Sequence, residues 1–172
     1  MTMRTARALF ACVLVAIACE GCALLKKKAP PPPAPPGTVV APVAGKRKAV
    51  LTLTAASEVN PDRNDRSSPV LVRVYQLKAD ATFKTAQFDD LYDDDKKVLG
   101  EAYVARHDVT LAPGGKQQLE LPLADETGYI GVVAAFRDIL SSSSQWRAVA
   151  PVPRKGLLVS VAGTRVSLMS SE

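Results

Sequence analysis

Beyond residue 22 the chain has no cysteine. Cys12, Cys19 and Cys22 are the whole set, so the following 150 residues offer no thiol for a disulfide or a zinc site. A single histidine, His107, removes Ser-His, Cys-His and multi-histidine metal constellations together. Aromatic residues are scarce at 5%, against the exposed stacking rings from which sugar sites are usually built. No apolar run approaches the ~20 residues of a spanning helix; residues 8–18 give 11. The glycines follow no phosphate-cradling pattern. The serines at 141–144 lack the GxSxG turn that exposes a nucleophile and read as a loop. Nothing in this inventory points to an enzyme.

An excess of basic charge is also absent from most of the chain, despite a formal net charge of +5. Residues 49–172 hold 14 Lys and Arg against 16 Asp and Glu, a balance of −2. The excess belongs to Arg4, Arg7, Lys26, Lys27, Lys28, Lys46, Arg47 and Lys48. A basic nucleic-acid-binding face on the domain is therefore disfavoured.

What the N-terminus does have is an export pattern. Arg4 and Arg7 precede the apolar run, which predicts a signal peptide over residues 1–18. Small residues directly before a cysteine resemble a bacterial lipobox, in which the thiol is acylated before cleavage. Cys19 follows Ala16-Ile17-Ala18 and fits better than Cys22, which follows Glu20-Gly21 but remains the alternative. A soluble secreted protein is the plainer reading, and it too exports the chain. Residues 19–48 then read as a tether, with Lys26-Lys27-Lys28 near the anchor and six prolines between Pro30 and Pro36. Consecutive prolines favour an extended polyproline II segment at about 3.1 Å per residue. The same prolines have a sharper reading as a ligand for a recognition module, but a spacer explains the composition.

Residues 49–172 form one domain by length. Leu51, Leu53 and Ala55 alternate with Thr52 and Thr54, and Val70, Val72 and Val74 alternate with Leu71, Arg73 and Tyr75. Both are strand patterns. Phe88, Leu91 and Tyr92 switch to helical spacing within an insert over about 80–100, which Gly100 stops. Strand patterns return at 102–111, 117–123, 129–136, 157–162 and 164–168, with turns at Pro113-Gly114-Gly115 and Gly163. YIGVVAAF at 129–136 is apolar on both faces, as in a central covered strand. The fold class expected is all-β, an antiparallel β-sandwich with a short helical insert.

Three features invite chemistry. Asp89, Asp90, Asp93, Asp94 and Asp95 lack the order of an EF-hand calcium loop and read as a solvated helix end. His107, between Arg106 and Asp108, reads as a sandwich-rim residue. The third is the segment Ser57, Glu58, Val59, Asn60, Pro61, Asp62, Arg63, Asn64, Asp65, Arg66, Ser67 and Ser68, which links two strands expected to be neighbours. Two to five residues would suffice for that connection. A disordered polar link is the bland reading; Pro61 and Pro69 count against it, because each fixes a backbone angle.

An ordered set of residues then resembles a known family: Asn60-Pro61-Asp62, Ser68 to Leu77 (SPVLVRVYQL), Phe83, Phe88, Leu91-Tyr92, Leu99-Gly100, Leu111 to Gly114 (LAPG), Tyr129 to Asp138 (YIGVVAAFRD) and Trp146-Arg147. They are similar to the outer-membrane lipoproteins of type VI secretion systems, the TssJ (SciN) family, across roughly residues 50–168. The resemblance implies a transthyretin-like β-sandwich held by a lipid-bearing cysteine, Cys19 or Cys22, on the periplasmic face of the outer membrane. It implies no cofactor beyond the covalent diacylglycerol and N-acyl lipid, no nucleic acid and no small-molecule substrate. As partner it implies the periplasmic domain of the inner-membrane subunit TssM, in a complex with TssL, contacted through residues 57–68. The rival from another class is an envelope lipoprotein that binds carbohydrate, peptidoglycan or another ligand on a similar sandwich.

Overall fold

The computed structural model describes residues 47–171; the expected signal peptide, Cys19, Cys22 and nearly all of the expected tether lie outside them. Eight strands form two four-stranded sheets. In chain order they are β1 (Arg47–Ala55), β2 (Val70–Leu77), β3 (Tyr103–Leu111), β4 (Lys116–Leu123), β5 (Tyr129–Ala135), β6 (Arg147–Pro151), β7 (Gly156–Ala162) and β8 (Arg165–Ser171). One sheet runs β4-β1-β7-β8 and the other β3-β2-β5-β6. The helices α1 (Ala81–Thr85) and α2 (Phe88–Leu99), with a 3-10 turn at Gly100–Ala102, lie between β2 and β3.

The main core is the space between the sheets. Leu51 and Leu53 from β1, Val70, Val72 and Val74 from β2, Ile130 and Val132 from β5 and Val159 from β7 are all buried there. The alternation that predicts these strands thus selects their inner faces. The outer face of β2 and β5 is covered too, by the helical insert. Tyr75, Leu77, Phe83, Leu91, Leu99 and Val133 make a second buried cluster, with the Tyr75 and Phe83 rings 5.6 Å apart. Gly131 is required at this interface, because a Cβ there would stand 2.8 Å from Phe83 Cζ and 3.0 Å from Leu77 Cδ1. Arg147 donates to the carbonyls of Phe83 and Ala86, tying the insert to β6. Gly100, at φ +52°, ends α2 as its sequence position predicts.

Three expectations are corrected, and the antiparallel sandwich is borne out with one refinement. The strands flanking residues 57–68 are not neighbours: β1 and β2 belong to different sheets, so the connection crosses the sandwich, which accounts for part of its length. The sandwich is antiparallel except for β1 and β7, which pair in parallel with Leu51 opposite Leu157 and Leu53 opposite Val159. The acidic run is not wholly solvated. Asp89, Asp90, Asp93 and Asp94 are exposed, but Asp95 is buried and accepts from Arg106 at 2.7 Å. Finally, His107 is not a rim residue. It lies opposite Val74 on the inward side of β3, 6% exposed, with Nε2 buried and unpartnered. Desolvation there pushes the imidazole pKa down, against a smaller opposing effect of Asp108.

Candidate functional site

The connection between β1 and β2 is a built structure. Ala55 and Ala56 bond to the turn after β3, through Ala55 N to Gly115 O and Gly114 N to Ala56 O. Val59 is fully buried in the main core and pins the middle of the segment. Asn60 follows in the left-handed region at φ +50°, which asparagine tolerates better than most residues. All of its polar groups but the carbonyl have partners in other segments. Its N–H donates to Gly163 O at 2.8 Å, Nδ2 donates to Pro69 O at 2.8 Å, and Oδ1 accepts from Arg137 N at 2.8 Å.

Asp62 organises the tip. Its Oδ1 accepts from the backbone N–H groups of Asn64 at 2.8 Å and Arg66 at 3.0 Å, and its Oδ2 from Arg66 Nε at 2.9 Å. The Arg66 amide foremost, then its guanidinium, hold the Asp62 carboxyl below the usual carboxylate range. Asp65 takes a second left-handed conformation at φ +58°. The segment returns to β2 with Ser68 N donating to Val59 O at 3.1 Å.

The twelve residues singled out by sequence therefore divide by role. Ser57, Glu58, Arg63, Asn64, Asp65 and Arg66 are exposed, Pro61, Asp62 and Ser67 are half-buried, and Val59, Asn60 and Ser68 are buried supports. Around them three further connections converge: the Pro113-Gly115 turn, residues 136–146 after β5, and the Gly163-Thr164 turn. An open cleft of about 690 Å³ is lined by Pro61 to Asp65 on the loop, Arg137 and Asp138 after β5, and Thr164.

Arg137, Asp138 and Thr164 are site residues that sequence reasoning did not include. A signal existed: β2 and β5 pair antiparallel with Leu71 opposite Ala135, so the residues before β2 and those after β5 must emerge at the same end. The serines at 141–144 belong to this end as well, in an irregular connection, with Ser144 Oγ 3.5 Å from Thr164 O. Among the described residues no cluster of three or more His, Cys, Asp or Glu side chains is arranged to hold a metal. The cleft joins charges of both signs on a rigid frame, an arrangement suited to recognising a surface.

Comparison with known proteins agrees with this geometry. Residues 47–169 match the T6SS-SciN family model, described as type VI secretion lipoprotein, VasD, EvfM, TssJ. No curated protein matches the chain. Among solved structures, the T6SS lipoprotein TssJ1 from Pseudomonas aeruginosa is 30% identical over 73% of this chain and 96% of its own, with a TM-score of 0.68. Serratia marcescens Lip, a membrane-bound component of the type VI secretion system, is 24% identical over 72% of this chain and 97% of its own, with a TM-score of 0.66, a likeness of fold. A chain in the structure of the T6SS protein TssM C-terminal domain from EAEC is 27% identical over 72% of this chain and 98% of its own, with a TM-score of 0.62. With the family model spanning the whole sandwich and the TssJ1 fold matching it, this chain belongs to the type VI secretion lipoprotein family of TssJ (SciN) type.

Proposed function

We propose that this lipoprotein is anchored by an acylated cysteine, Cys19 or alternatively Cys22, to the periplasmic face of the outer membrane, and recruits the periplasmic domain of a TssM-type inner-membrane subunit through the β1–β2 loop. The observation that carries the reading is the loop's construction. Six exposed side chains, Ser57, Glu58 and the run Arg63 to Arg66, stand on a base fixed by Val59 and Asn60. A preordered loop loses less conformational entropy when a partner binds. The relative in the TssM C-terminal domain structure supports a TssM-type partner. TssL is placed in the same complex on the resemblance alone.

The mechanism is mechanical rather than chemical. Acyl chains contribute about 0.8 kcal/mol per buried CH₂, and more than one chain is needed for stable anchoring. The sandwich then presents the loop to the partner, and several copies on a multimeric partner add avidity to a modest single-site affinity. A carbohydrate-binding reading draws no support from the ring positions. Tyr92, 38% exposed and stacked on Phe88, is the one exposed aromatic among the described residues.

The test is a pull-down of the domain against the periplasmic domain of the TssM-type subunit from the same cell. Its arms are the intact loop and one in which residues 60–68 are shortened to a tight turn. Binding that disappears with the loop while the circular dichroism spectrum is retained is the expected result. Unchanged binding by the shortened protein would sink the loop assignment.

A further inference from the structure

The far end of the sandwich, where β1 begins, has a different character from the loop end. Arg47 and Lys48 open β1, and Arg154 and Lys155 form the turn between β6 and β7; all four are exposed. Two neighbouring clefts, of about 530 and 370 Å³, connect them. Both are lined by Pro151, Val152, Pro153 and Arg154; Arg47 and Lys48 line the first and Lys155 the second.

These cations are little neutralised. Arg47 donates through one nitrogen to the carbonyls of Ala124, Asp125 and Thr127 at 2.9–3.2 Å, contacts that fix the guanidinium without cancelling its charge. Lys48 lies 3.9 Å from Glu120, both well exposed, and such a pair contributes little. Arg154 and Lys155 have no ion pair among the described residues. Among the described residues the acids of the neighbouring β4–β5 connection are Asp125 and Glu126, and Glu126 faces Lys78 at 3.6 Å. At the loop end, by contrast, Arg63, Arg66 and Arg137 are interspersed with Glu58, Asp62, Asp65 and Asp138, and Arg66 pairs with Asp62 at 2.8 Å.

The direction of the chain gives this end its partner. The expected tether from Cys19 or Cys22 to Lys46 joins the domain at Arg47, so in an anchored lipoprotein this is the end tied to the bilayer. We infer that Arg47, Lys48, Arg154 and Lys155, beside the apolar Pro151-Val152-Pro153 strip, form a docking surface for an anionic phospholipid bilayer. Basic side chains at a membrane surface are attracted to anionic headgroups, and short apolar segments beside them enter the interface. Docking there turns the β1–β2 loop away from the membrane, about 30 Å distant along the nine residues of β1. The inference rests on the anchoring reading for its direction only, and its test needs neither acylation nor a partner.

The matched solved chains are covered over 96% and 98% of their length by this domain, so residues 46–172 are a folding unit. That fragment is floated with vesicles of phosphatidylglycerol and phosphatidylcholine, and with phosphatidylcholine alone. Binding confined to the anionic vesicles and weakened by salt is expected. The double variant Arg154→Glu/Lys155→Glu should bind at least about tenfold more weakly. The neutralising pair Arg154→Gln/Lys155→Gln should fall between, and Arg63→Glu at the loop end should float like the parent. Thermal unfolding of each variant confirms the fold. No flotation, equal flotation with phosphatidylcholine, or indifference to both double variants overturns the inference. A failed partner pull-down beside positive flotation would remove the docking loop and leave this surface standing.

Discussion

The side chain of Asn60 accepts a 2.8 Å hydrogen bond from the backbone N–H of Arg137, 77 positions further along the chain. Its amide nitrogen donates at the same time to Pro69 O, so one side chain joins both ends of the β1–β2 loop to the segment that follows β5.

Asn60→Ala removes both bonds, leaves Arg137 N and Pro69 O in want of partners, and puts a Cβ-bearing residue with no compensating polar group at φ +50°. The expected loss is about 2–4 kcal/mol in urea unfolding. Asn60→Gly loses the bonds without the backbone strain and should cost roughly 1 kcal/mol less. Equal losses would mean that the left-handed conformation contributes nothing to the choice of asparagine.

Asp62 should titrate below the ordinary 3.8, because its ionised form accepts from Arg66 and Asn64. A depressed carboxylate contributes order that is present above its unfolded pKa and lost as pH falls through the folded one. In an NMR titration the amide signals of Asn64 and Arg66 should therefore move together, with a midpoint under 3.8. Asp62→Asn should abolish that transition. A midpoint at or above the ordinary value would contradict the hydrogen-bonded loop.

His107 shifts in the same direction as Asp62, but from desolvation and not from hydrogen bonds to the ionised form. Burial lowers its folded pKa below 6.5, so the unfolded chain takes up a proton that the folded chain refuses. Stability is fully present above about pH 6.5 and declines as pH falls toward the folded pKa, with a slope of at most about 1.4 kcal/mol per unit from this group. His107→Leu replaces the titratable ring with an apolar side chain and should flatten the melting temperature between pH 7 and 5. An unaltered pH profile in that variant would exclude His107 as the source.

Gly131→Ala should destabilise the domain by about 1–3 kcal/mol, since the new methyl meets Phe83 and Leu77 at 2.8–3.0 Å. Combining it with Phe83→Leu, which withdraws the ring, should give a loss smaller than the sum of the single variants. Strict additivity in that double-mutant cycle would show that the two residues do not share the space beneath α1.

Much of this architecture is legible in the sequence, and the parts that are not have physical reasons. Period-two alternation marks Leu51-Leu53-Ala55 and Val70-Val72-Val74 because one face of each strand meets the main core. YIGVVAAF is apolar on both faces because β5 lies between that core and the helical insert. The strand β6 escapes notice because RAVAP is short and half-buried throughout except at its exposed final proline, so no alternation reports it. Asp95 is indistinguishable in sequence from Asp93 and Asp94. Asp94 leaves the helical conformation, at φ −144° and ψ 64°, and the residue after it is buried against Arg106 on β3, a partner that no local pattern encodes. At the site, the loop stands out by its length and its prolines, whereas Arg137 and Asp138 become visible only once β2 and β5 are paired.

The parallel pairing of β1 with β7 also bears on load. β1 lies inside its sheet, bonded to β4 on one edge and β7 on the other, and its two ends lead to the tether and to the β1–β2 loop. Tension between an anchored N-terminus and a partner held at that loop runs along the strand axis, across hydrogen bonds lying roughly perpendicular to it. Those bonds are strained in shear, all together, instead of being opened singly from one end as in a peeled hairpin. On the proposed reading, β1 would be the strand joining membrane to partner, and the fold grips it from both sides, so pulling the two apart would slide β1 past two neighbours at once.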